Sequence, residues 1–330
     1  MTAATQPLVS IRNLEVAFQA GAKTVQALSG VSLDVGRGEA VALIGESGSG
    51  KSVTLRALMR LHPPRRTRMR GEMLVDGRDV LGMNPRELAA LRGPVVSMVF
   101  QEPLLALDPV YTVGRQIEEM VRRHTGKSAA EARAQALSLF ERVRIPSPER
   151  RLQAYPHEMS GGMRQRAMIA LALSCSPKVL LADEPTTALD ATVQIQILLL
   201  LRELQRELGL SIVFVTHDIG AAAEIADRVA VMYGGRIVEQ GALVDLLRAP
   251  RHPYTQALLK GRAHGAMQKG QRLETIPGSP PDLAALPPGC SFAPRCGHAQ
   301  PRCREAVPDI VPVARGHEVR CVLVERAVAA

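Results

Sequence analysis

One apolar pattern along the chain is an alternation of apolar and polar residues at every second position. It covers residues 8–18, 27–35 and 71–75, and it is typical of half-buried strands. Asp76 and Gly77 follow the third segment as a turn signal. The three segments therefore predict a small antiparallel layer of strands.

A second pattern is the short continuous apolar run, which is typical of strands buried on both faces. Such runs occupy residues 41–44, 95–100, 179–182 and 212–215. Open α/β sheets bind ligands at the carboxyl ends of their strands. We therefore expect a shared ligand site from the residues at the ends of these runs, namely Gly45, Gln101, Asp183 and His217.

Helical periodicity dominates residues 115–175, where Ser128 and Glu131 form a predicted capping box. One further helix is predicted over residues 53–60, and another follows Asp190 and continues to about residue 208. Proline-containing loops are predicted over residues 102–111 and 143–155. Alternating strands and helices predict the α/β fold class.

The strand at residues 41–44 leads into GESGSGKS, which fits the phosphate-loop pattern G-x-x-x-x-G-K-[ST]. Its glycines let several amide N–H groups point into one anion-binding concavity. Lys51 can reach the phosphates, and the Ser52 hydroxyl can bind Mg²⁺. An ordinary glycine-rich turn is the alternative, but the position between a strand and a helix favours a nucleotide site. The candidate residues are Gly45, Glu46, Ser47, Gly48, Ser49, Gly50, Lys51 and Ser52.

Two carboxylates, Asp183 and Glu184, stand at the end of the strand over residues 179–182. In a phosphate-loop protein, the first can hold Mg²⁺, and the second can orient or deprotonate a water. His217 could contact a γ-phosphate, although a lone histidine is more often structural.

Two weaker candidates remain. Ser160, Gly161 and Gly162 precede a helical stretch and form a potential second anion site. Phe18 lies where an aromatic ring could stack on adenine, and a core phenylalanine is the equally good alternative.

The composition narrows the function classes. Aromatic residues make up 3% of the chain and tryptophan is absent, which disfavours stacking platforms for single-stranded nucleic acid. The formal charge of +9 fits nucleic acid, an anionic membrane face, a nucleotide, or a solvated basic surface. Apolar stretches fall short of the roughly 18 residues that span a bilayer, and the first residues lack a signal pattern. We expect a cytosolic chain whose membrane role comes through a partner.

Four of the five cysteines lie near the carboxyl end with the spacing C-x5-C-x6-C-x17-C. In a reducing cytosol, such a cluster of cysteines suggests ligands of zinc or of an iron–sulfur cluster. The spacing lacks the paired C-x2-C elements that are usual for structural zinc. Four unliganded thiols are the alternative. Six prolines between Pro277 and Pro294 predict a wrapped loop for this tail, without helix or sheet. The four cysteines of the tail are Cys290, Cys296, Cys303 and Cys321. The fifth, Cys175, is expected to be a residue of the hydrophobic core.

Residues 8–260 resemble the ATP-binding subunits of ABC transporters, motif by motif and in chain order. GESGSGKS resembles the Walker A loop, MSGGM the L-S-G-G-Q signature and VLLADE the Walker B strand. Gln101 matches the Q-loop glutamine, Asp190 the D-loop acid and His217 the switch histidine. Met159 and Met163 depart from the usual signature.

The resemblance implies an ATPase that uses ATP and Mg²⁺. ATP binding would close a head-to-tail dimer, with the signature Ser160-Gly161-Gly162 of one subunit facing the phosphate loop of the other, and hydrolysis would reset it. The implied roles are phosphate binding for Lys51, Mg²⁺ arrangement for Ser52, Gln101 and Asp183, water activation for Glu184, and γ-phosphate contact for His217.

The tail resembles the C-terminal region of oligopeptide/dipeptide importer ATPases, through RHPYTQALL at residues 251–259 and the cysteine spacing. This likeness implies a [4Fe–4S] cluster on the four cysteines, with zinc as the alternative. It also implies two integral membrane permease subunits, a second, paralogous ATPase, and an extracytoplasmic peptide-binding protein, with no nucleic acid partner. The chain would be peripheral on the cytoplasmic side of the inner membrane, and nickel or glutathione is the alternative cargo.

The expected architecture is an α/β P-loop NTPase with a mixed core sheet, an antiparallel β subdomain and a helical subdomain at about residues 105–175. Residues 1–255 would form the nucleotide-binding domain, and residues 256–330 an irregular C-terminal extension with the four cysteines. The resemblance also implies that residues 102–109 engage the coupling helices of the membrane subunits. The alternative functions are a soluble ABC-type ATPase acting on nucleic acid or the ribosome, and an ATP-binding subunit without hydrolysis, which the intact Asp183, Glu184 and His217 disfavour.

Overall fold

The structure is a computed structural model that describes residues 6–21, 23–187, 189–261 and 276–324. The strands are β1 Val9–Ala20, β2 Lys23–Val35, β3 Ala40–Ile44, β4 Thr67–Val75, β5 Arg78–Asp79, β6 Val96–Val99, β7 Val179–Asp183, β8 Ser211–Thr216, β9 Arg228–Tyr233, β10 Arg236–Ala242, β11 Val311–Ala314 and β12 His317–Val319. The helices are α1 Lys51–Leu58, α2 Pro85–Leu91, α3 Pro103–Ala106, α4 Val113–Thr125, α5 Ala129–Arg142, α6 Pro148–Arg151, α7 Gly161–Leu173, α8 Ala191–Leu208, α9 Ile219–Ile225, α10 Leu243–Arg248, α11 Pro253–Lys260 and α12 Arg302–Glu305.

The chain divides into two compact units, each built from separate stretches of sequence. The first contains residues 35–40 and 74–215. The second contains residues 10–34 and 41–73, together with the chain from residue 216 onward.

The core of the first unit is a parallel arrangement of β6, β7 and β8, with β7 in the middle. Every residue of β7 and β8 is buried, as the continuous apolar runs predict. Helices α4 and α5 pack against each other and against α7. The predicted capping box at the start of α5 is confirmed, because Ser128 Oγ accepts from the Glu131 amide and the Glu131 carboxylate accepts from the Ser128 amide.

Two predicted loops of the first unit contain short helices, so these predictions were wrong in part. Helix α3 lies within residues 102–111, and α6 lies within residues 143–155. Both helices begin with a proline at their first position. The fixed φ of proline suits that position, and its missing N–H costs nothing there, so the prolines start single helical turns.

The second unit contains a mixed sheet in which β3 runs parallel to β9 and β10 runs antiparallel to β9. All five residues of β3 are buried. Strands β2, β1 and β4 are neighbours in a separate sheet, which matches the predicted layer of half-buried strands. The sheet of β3, β9 and β10 positions the start of the phosphate loop.

The tail departs from its prediction as a loop without helix or sheet. Strand β12 pairs antiparallel with β10, and β11 pairs antiparallel with β12, so the tail extends the sheet; it also forms the short α12. The prolines explain the error, because they cluster at residues 277–294, ahead of these strands. Pro312 lies on β11, which is the edge strand of this sheet among the described residues and therefore tolerates a missing N–H.

The proposed boundary between residues 255 and 256 falls inside α11 and stays a prediction, as does the helical subdomain. Residues 262–275 and 325–330 of the proposed extension lie outside the described residues. Across the described ranges, we find no helix that is both long and apolar enough to cross a membrane.

Candidate nucleotide-binding site

The phosphate loop connects β3 to α1 through a backbone path that only glycine permits at its two ends. Gly45 has φ of 153° and Gly50 has φ of 103°. A Cβ on Gly45 would collide with the Met232 carbonyl oxygen, and one on Gly50 would lie 2.6 Å from Leu28 Cδ2. The tight packing therefore holds the loop in the curled form that an anion cradle needs.

Lys51 lies at the first position of α1, and its side chain folds back over the loop. Its Nζ donates to the carbonyl oxygens of Gly45 and Glu46, at 2.8 Å each, and lies 3.5 Å from Ser49 Oγ. The side chain is buried, so its charge acts with little screening by water. Backbone amides, a helix N-terminus and a buried ammonium are a donor set that fits a polyphosphate.

The predicted adenine contact, Phe18, is half-buried and so is not a fully buried core residue. Its ring packs edge-to-face on His62, with centroids 5.1 Å apart and an interplanar angle of 74°. Burial lowers the pKa of His62, which keeps the imidazole neutral and able to pack on another ring. Sequence reasoning missed His62, because an isolated histidine carries no local pattern.

His217 follows the end of β8 and is exposed. The residues beside it shape the turn: the Asp218 amide donates to Thr216 Oγ1 at 2.9 Å, and Asp218 Oδ1 accepts from the Gly220 amide at 2.8 Å. This cap begins α9 and fixes the backbone at the predicted γ-phosphate contact.

The two acids at the end of β7 have different environments. Asp183 is fully buried, whereas Glu184 is half-buried. Glu184 has φ of 45°, which is strained for a residue with a side chain, and its amide donates to the Val215 carbonyl at 3.0 Å. Its Oε2 accepts from Thr187 Oγ1 at 2.9 Å. Thr187 therefore orients the predicted catalytic carboxylate, a contact that the sequence analysis did not identify.

Gln101 is half-buried and lies two residues after the end of β6. The segment that follows it forms α3 and exposes two large apolar side chains, Leu104 at 54% and Leu105 at 83%. Val110, a little further on, is also exposed. The glutamine that is predicted to contact the ligand is thus followed directly by an apolar surface.

The signature residues form the start of α7. Ser160 is its N-cap, with Oγ accepting from the Met163 amide at 3.3 Å, and Gly161 and Gly162 are the first helical residues. Met159 is buried, so an unbranched apolar residue fills the place where the family usually has leucine. Asp190 similarly caps α8 by accepting from the Val193 amide at 2.9 Å.

The four tail cysteines lie near one another in the second unit. The Cys290 amide donates to the Cys303 carbonyl at 2.8 Å. Burial and, secondarily, the neighbouring thiols raise the pKa of Cys290, and they raise that of Cys321 to about 11. Thiols of this kind stay protonated at neutral pH unless something binds them. Among the described residues, no group of three or more His, Cys, Asp or Glu side chains is arranged to hold a metal ion, so the iron–sulfur prediction gains no support from the geometry.

The predicted site residues divide between the two units. The phosphate loop, Phe18, His217 and the cysteines belong to the second unit. The first unit holds Gln101, the signature, both acids and Asp190. Two residues of the second unit that contact the phosphate loop were missed, Tyr254 and Arg295; both make their contacts with Glu46. Tyr254 lies in the RHPYTQALL phrase, which was the available signal.

Comparisons with known proteins agree with this geometry. Residues 28–187 match the family model of the ABC transporter, and residues 238–303 match the model of the oligopeptide/dipeptide transporter C-terminal region. The chain is 48% identical over 328 residues to a putative peptide import ATP-binding protein of Brucella melitensis, covering 96% of this chain and 97% of that protein. It is 45% identical over 319 residues to the dipeptide transport ATP-binding protein DppD of Bacillus subtilis, covering 96% and 95%.

Solved structures give the same result. A dimeric ATP-binding cassette, MJ0796, in a post-hydrolysis state bound to ADP and Pi, is 31% identical with a TM-score of 0.64, covering 71% of this chain and 98% of that one. The CbiO1 protein from Clostridium perfringens, part of an ABC transporter complex, is 27% identical with a TM-score of 0.64, covering 74% and 92%. The predicted ABC ATPase fold is confirmed, and the chain belongs to the ATP-binding proteins of the ABC transporter family.

Proposed function

We propose that this chain is the ATP-hydrolysing, energy-coupling subunit of a peptide importer. The observation that carries the proposal is the match of residues 238–303 to the oligopeptide/dipeptide transporter C-terminal region. It is supported by relatives named for peptide or dipeptide import that align with 96% of the chain. The alternative of an ATPase acting on nucleic acid is not favoured, because these relatives are named for import.

For hydrolysis, we assign the nucleotide phosphates to the loop at residues 45–52 and to Lys51. Ser52, Gln101 and Asp183 are the oxygen donors that would hold Mg²⁺, which supplies charge neutralisation of the phosphates when bound. Glu184, oriented by Thr187, would position the attacking water and accept its proton. His217 would contact the γ-phosphate, and Phe18 would stack on adenine.

The assembly is proposed as a head-to-tail dimer, in which Ser160, Gly161 and Gly162 of one subunit and Asp190 beside them complete the partner's site. The dimeric MJ0796 structure supports such a pair. The second ATPase would be a paralogue, and two integral permease subunits would dock on the pair at the cytoplasmic face of the inner membrane. An extracytoplasmic peptide-binding protein would deliver the cargo.

Deleting the gene in its host is expected to abolish uptake of radiolabelled peptide, and wild-type but not Lys51→Ala protein should restore it. The matched assays use dipeptide, a longer peptide, glutathione and Ni²⁺, because the last two are the alternative cargoes within this family. Peptide uptake unchanged in the deletion strain, with loss of Ni²⁺ or glutathione uptake, would replace the peptide assignment.

We keep the four-thiol site as a separate proposal, with Cys290, Cys296, Cys303 and Cys321 as ligands of a [4Fe–4S] cluster and zinc as the alternative. Protein purified without oxygen should contain about four iron atoms per chain and absorb in the visible range. A Cys303→Ser variant should lose most of this iron, while Cys175→Ser, at a buried position in the turn after α7, should keep it. Stoichiometric zinc without iron would select the alternative, and neither metal would reject the site.

A further inference from the structure

Arg295, in the tail of the chain, contacts the phosphate loop. Arg295 Nη1 and Nη2 donate to the two carboxylate oxygens of Glu46, at 2.6 and 3.0 Å. The Arg295 side chain is 6% exposed and that of Glu46 is 25% exposed. Both residues belong to the second unit. The contact is therefore a largely buried, two-pronged ion pair, which is the strong form of this interaction.

The Arg295 guanidinium also donates hydrogen bonds to three groups other than Glu46. Besides the two bonds to Glu46, Nε donates to the Pro277 carbonyl at 2.7 Å, Nη2 to the Ile276 carbonyl at 3.3 Å and Nη1 to the Tyr233 hydroxyl at 3.1 Å. These contacts engage all five N–H donors of the side chain. A lysine has only three donors and no planar fork, so it could not reproduce this set.

Glu46 is fixed at each of its polar groups. Its amide donates to the Tyr254 hydroxyl at 2.8 Å, its carbonyl accepts from Lys51 Nζ at 2.8 Å, and its carboxylate accepts from Arg295. Lys51 and Tyr254 thus hold the backbone of the loop's second residue, and Arg295 holds its side chain.

The start of α11 places Tyr254 at this contact. The buried Glu239 carboxylate accepts from the amides of Arg251 and His252, and His252 Nδ1 accepts from the Tyr254 amide at 3.0 Å. Burial lowers the pKa of His252 to about 3, so its ring stays neutral and Nδ1 remains an acceptor. The RHPYT phrase therefore has a local role, which is to cap α11 and to aim Tyr254 at the loop.

A carboxylate in a phosphate-binding loop creates an electrostatic problem. The loop concentrates donors for a polyanion, and the negative charge of Glu46, its second residue, repels that polyanion. The Arg295 guanidinium cancels this charge and holds the carboxylate in a defined position. Without Arg295, the positive charge of Lys51 and the negative charge of Glu46 would cancel each other. With Arg295 the net charge at the loop is positive, which favours binding of phosphates.

We propose that Arg295 is a positioning and charge-compensating residue for ATP binding, supplied to the phosphate loop by the tail of the same chain. The inference rests on the assignment of residues 45–52 to the nucleotide phosphates. Its consequence is that nucleotide affinity depends on a tail segment that lies some 249 residues after the loop.

Four full-length variants test the inference by binding of a fluorescent ATP analogue and by steady-state hydrolysis. Arg295→Met should raise Kd and KM for ATP about tenfold, with kcat changed less than about twofold, because only binding is weakened. Glu46→Gln should lower Kd by about threefold, because the arginine charge is then unopposed. The double variant Arg295→Met/Glu46→Gln should recover most of the lost affinity. Arg315→Met, an exposed arginine in the turn between β11 and β12, should match wild type.

A double variant as weak as Arg295→Met would overturn charge compensation, since a purely structural arginine gains nothing from removal of the carboxylate. Wild-type affinity in Arg295→Met would overturn the inference as a whole. If Arg295→Met fails to fold, the Glu46→Gln variant alone tests the inference. Weaker ATP binding in Glu46→Gln would contradict the proposal. Wild-type protein that binds no ATP would instead refute the site assignment on which the inference rests.

Discussion

Replacing Glu184 with glutamine is expected to lower kcat for ATP hydrolysis by about a thousandfold, which is within the usual range for losing a general base. The amide keeps the shape of the carboxylate and can still accept from Thr187 Oγ1 through its oxygen. It cannot take a proton from water. Because the strained backbone at Glu184 is maintained by the bond of its amide to Val215, the substitution leaves the local fold in place. ATP affinity should therefore change by less than about threefold.

The measurement is phosphate release by the purified protein together with its partner subunits, with nucleotide binding followed in parallel. Glu119→Gln is the matched control, because Glu119 is an exposed glutamate on α4. Turnover at the wild-type rate in Glu184→Gln would show that another group activates the water. Equal loss of binding and turnover would show that Glu184 acts in holding the nucleotide.

The Leu105→Glu substitution is expected to lower peptide uptake at least about tenfold and to leave ATP binding unchanged. Leu105 and Leu104 are exposed on α3, and we expect this surface to be covered by the membrane subunits. Burying a leucine contributes about 2 kcal/mol to a contact, and a buried unpaired charge opposes it further. If the membrane subunits no longer dock on this surface, ATP hydrolysis can no longer drive peptide transport. Leu104→Glu should have the same effect, reduced in proportion to its smaller exposure.

Uptake is measured in cells that carry the variant as their sole copy, and docking by co-purification with the permease subunits. Leu208→Glu provides the control, since Leu208 is 47% exposed at the end of α8. Full uptake with Leu105→Glu would place the docking surface elsewhere. Equal losses in the control and in Leu105→Glu would attribute the defect to general destabilisation.

Local features of this protein were readable from the sequence. The phosphate loop, the buried strands and the capping box of Ser128 and Glu131 each depend on residues a few positions apart. A strand is recognised by its apolar run, a cap by a polar side chain at fixed spacing, and the loop by glycines at positions such as Gly45, where a side chain would collide. The same local signals failed in the tail, because prolines before residue 295 say nothing about the strands after residue 310.

Contacts between residues that lie far apart in the sequence were not predicted and appear only in the folded chain. β12 pairs with β10 although the two strands lie far apart in the sequence. The ion pair of Arg295 and Glu46 joins residues without any shared local pattern, and Tyr254 reaches the loop only because Glu239 and His252 hold the start of α11. The physical reason for this difference is that local backbone geometry depends on residues a few positions apart. The partner of a buried charge depends instead on how distant parts of the chain pack together. The glycine-rich loop after a buried strand was enough to predict a nucleotide-binding protein, whereas the contact of the tail with that loop became visible only in the folded chain.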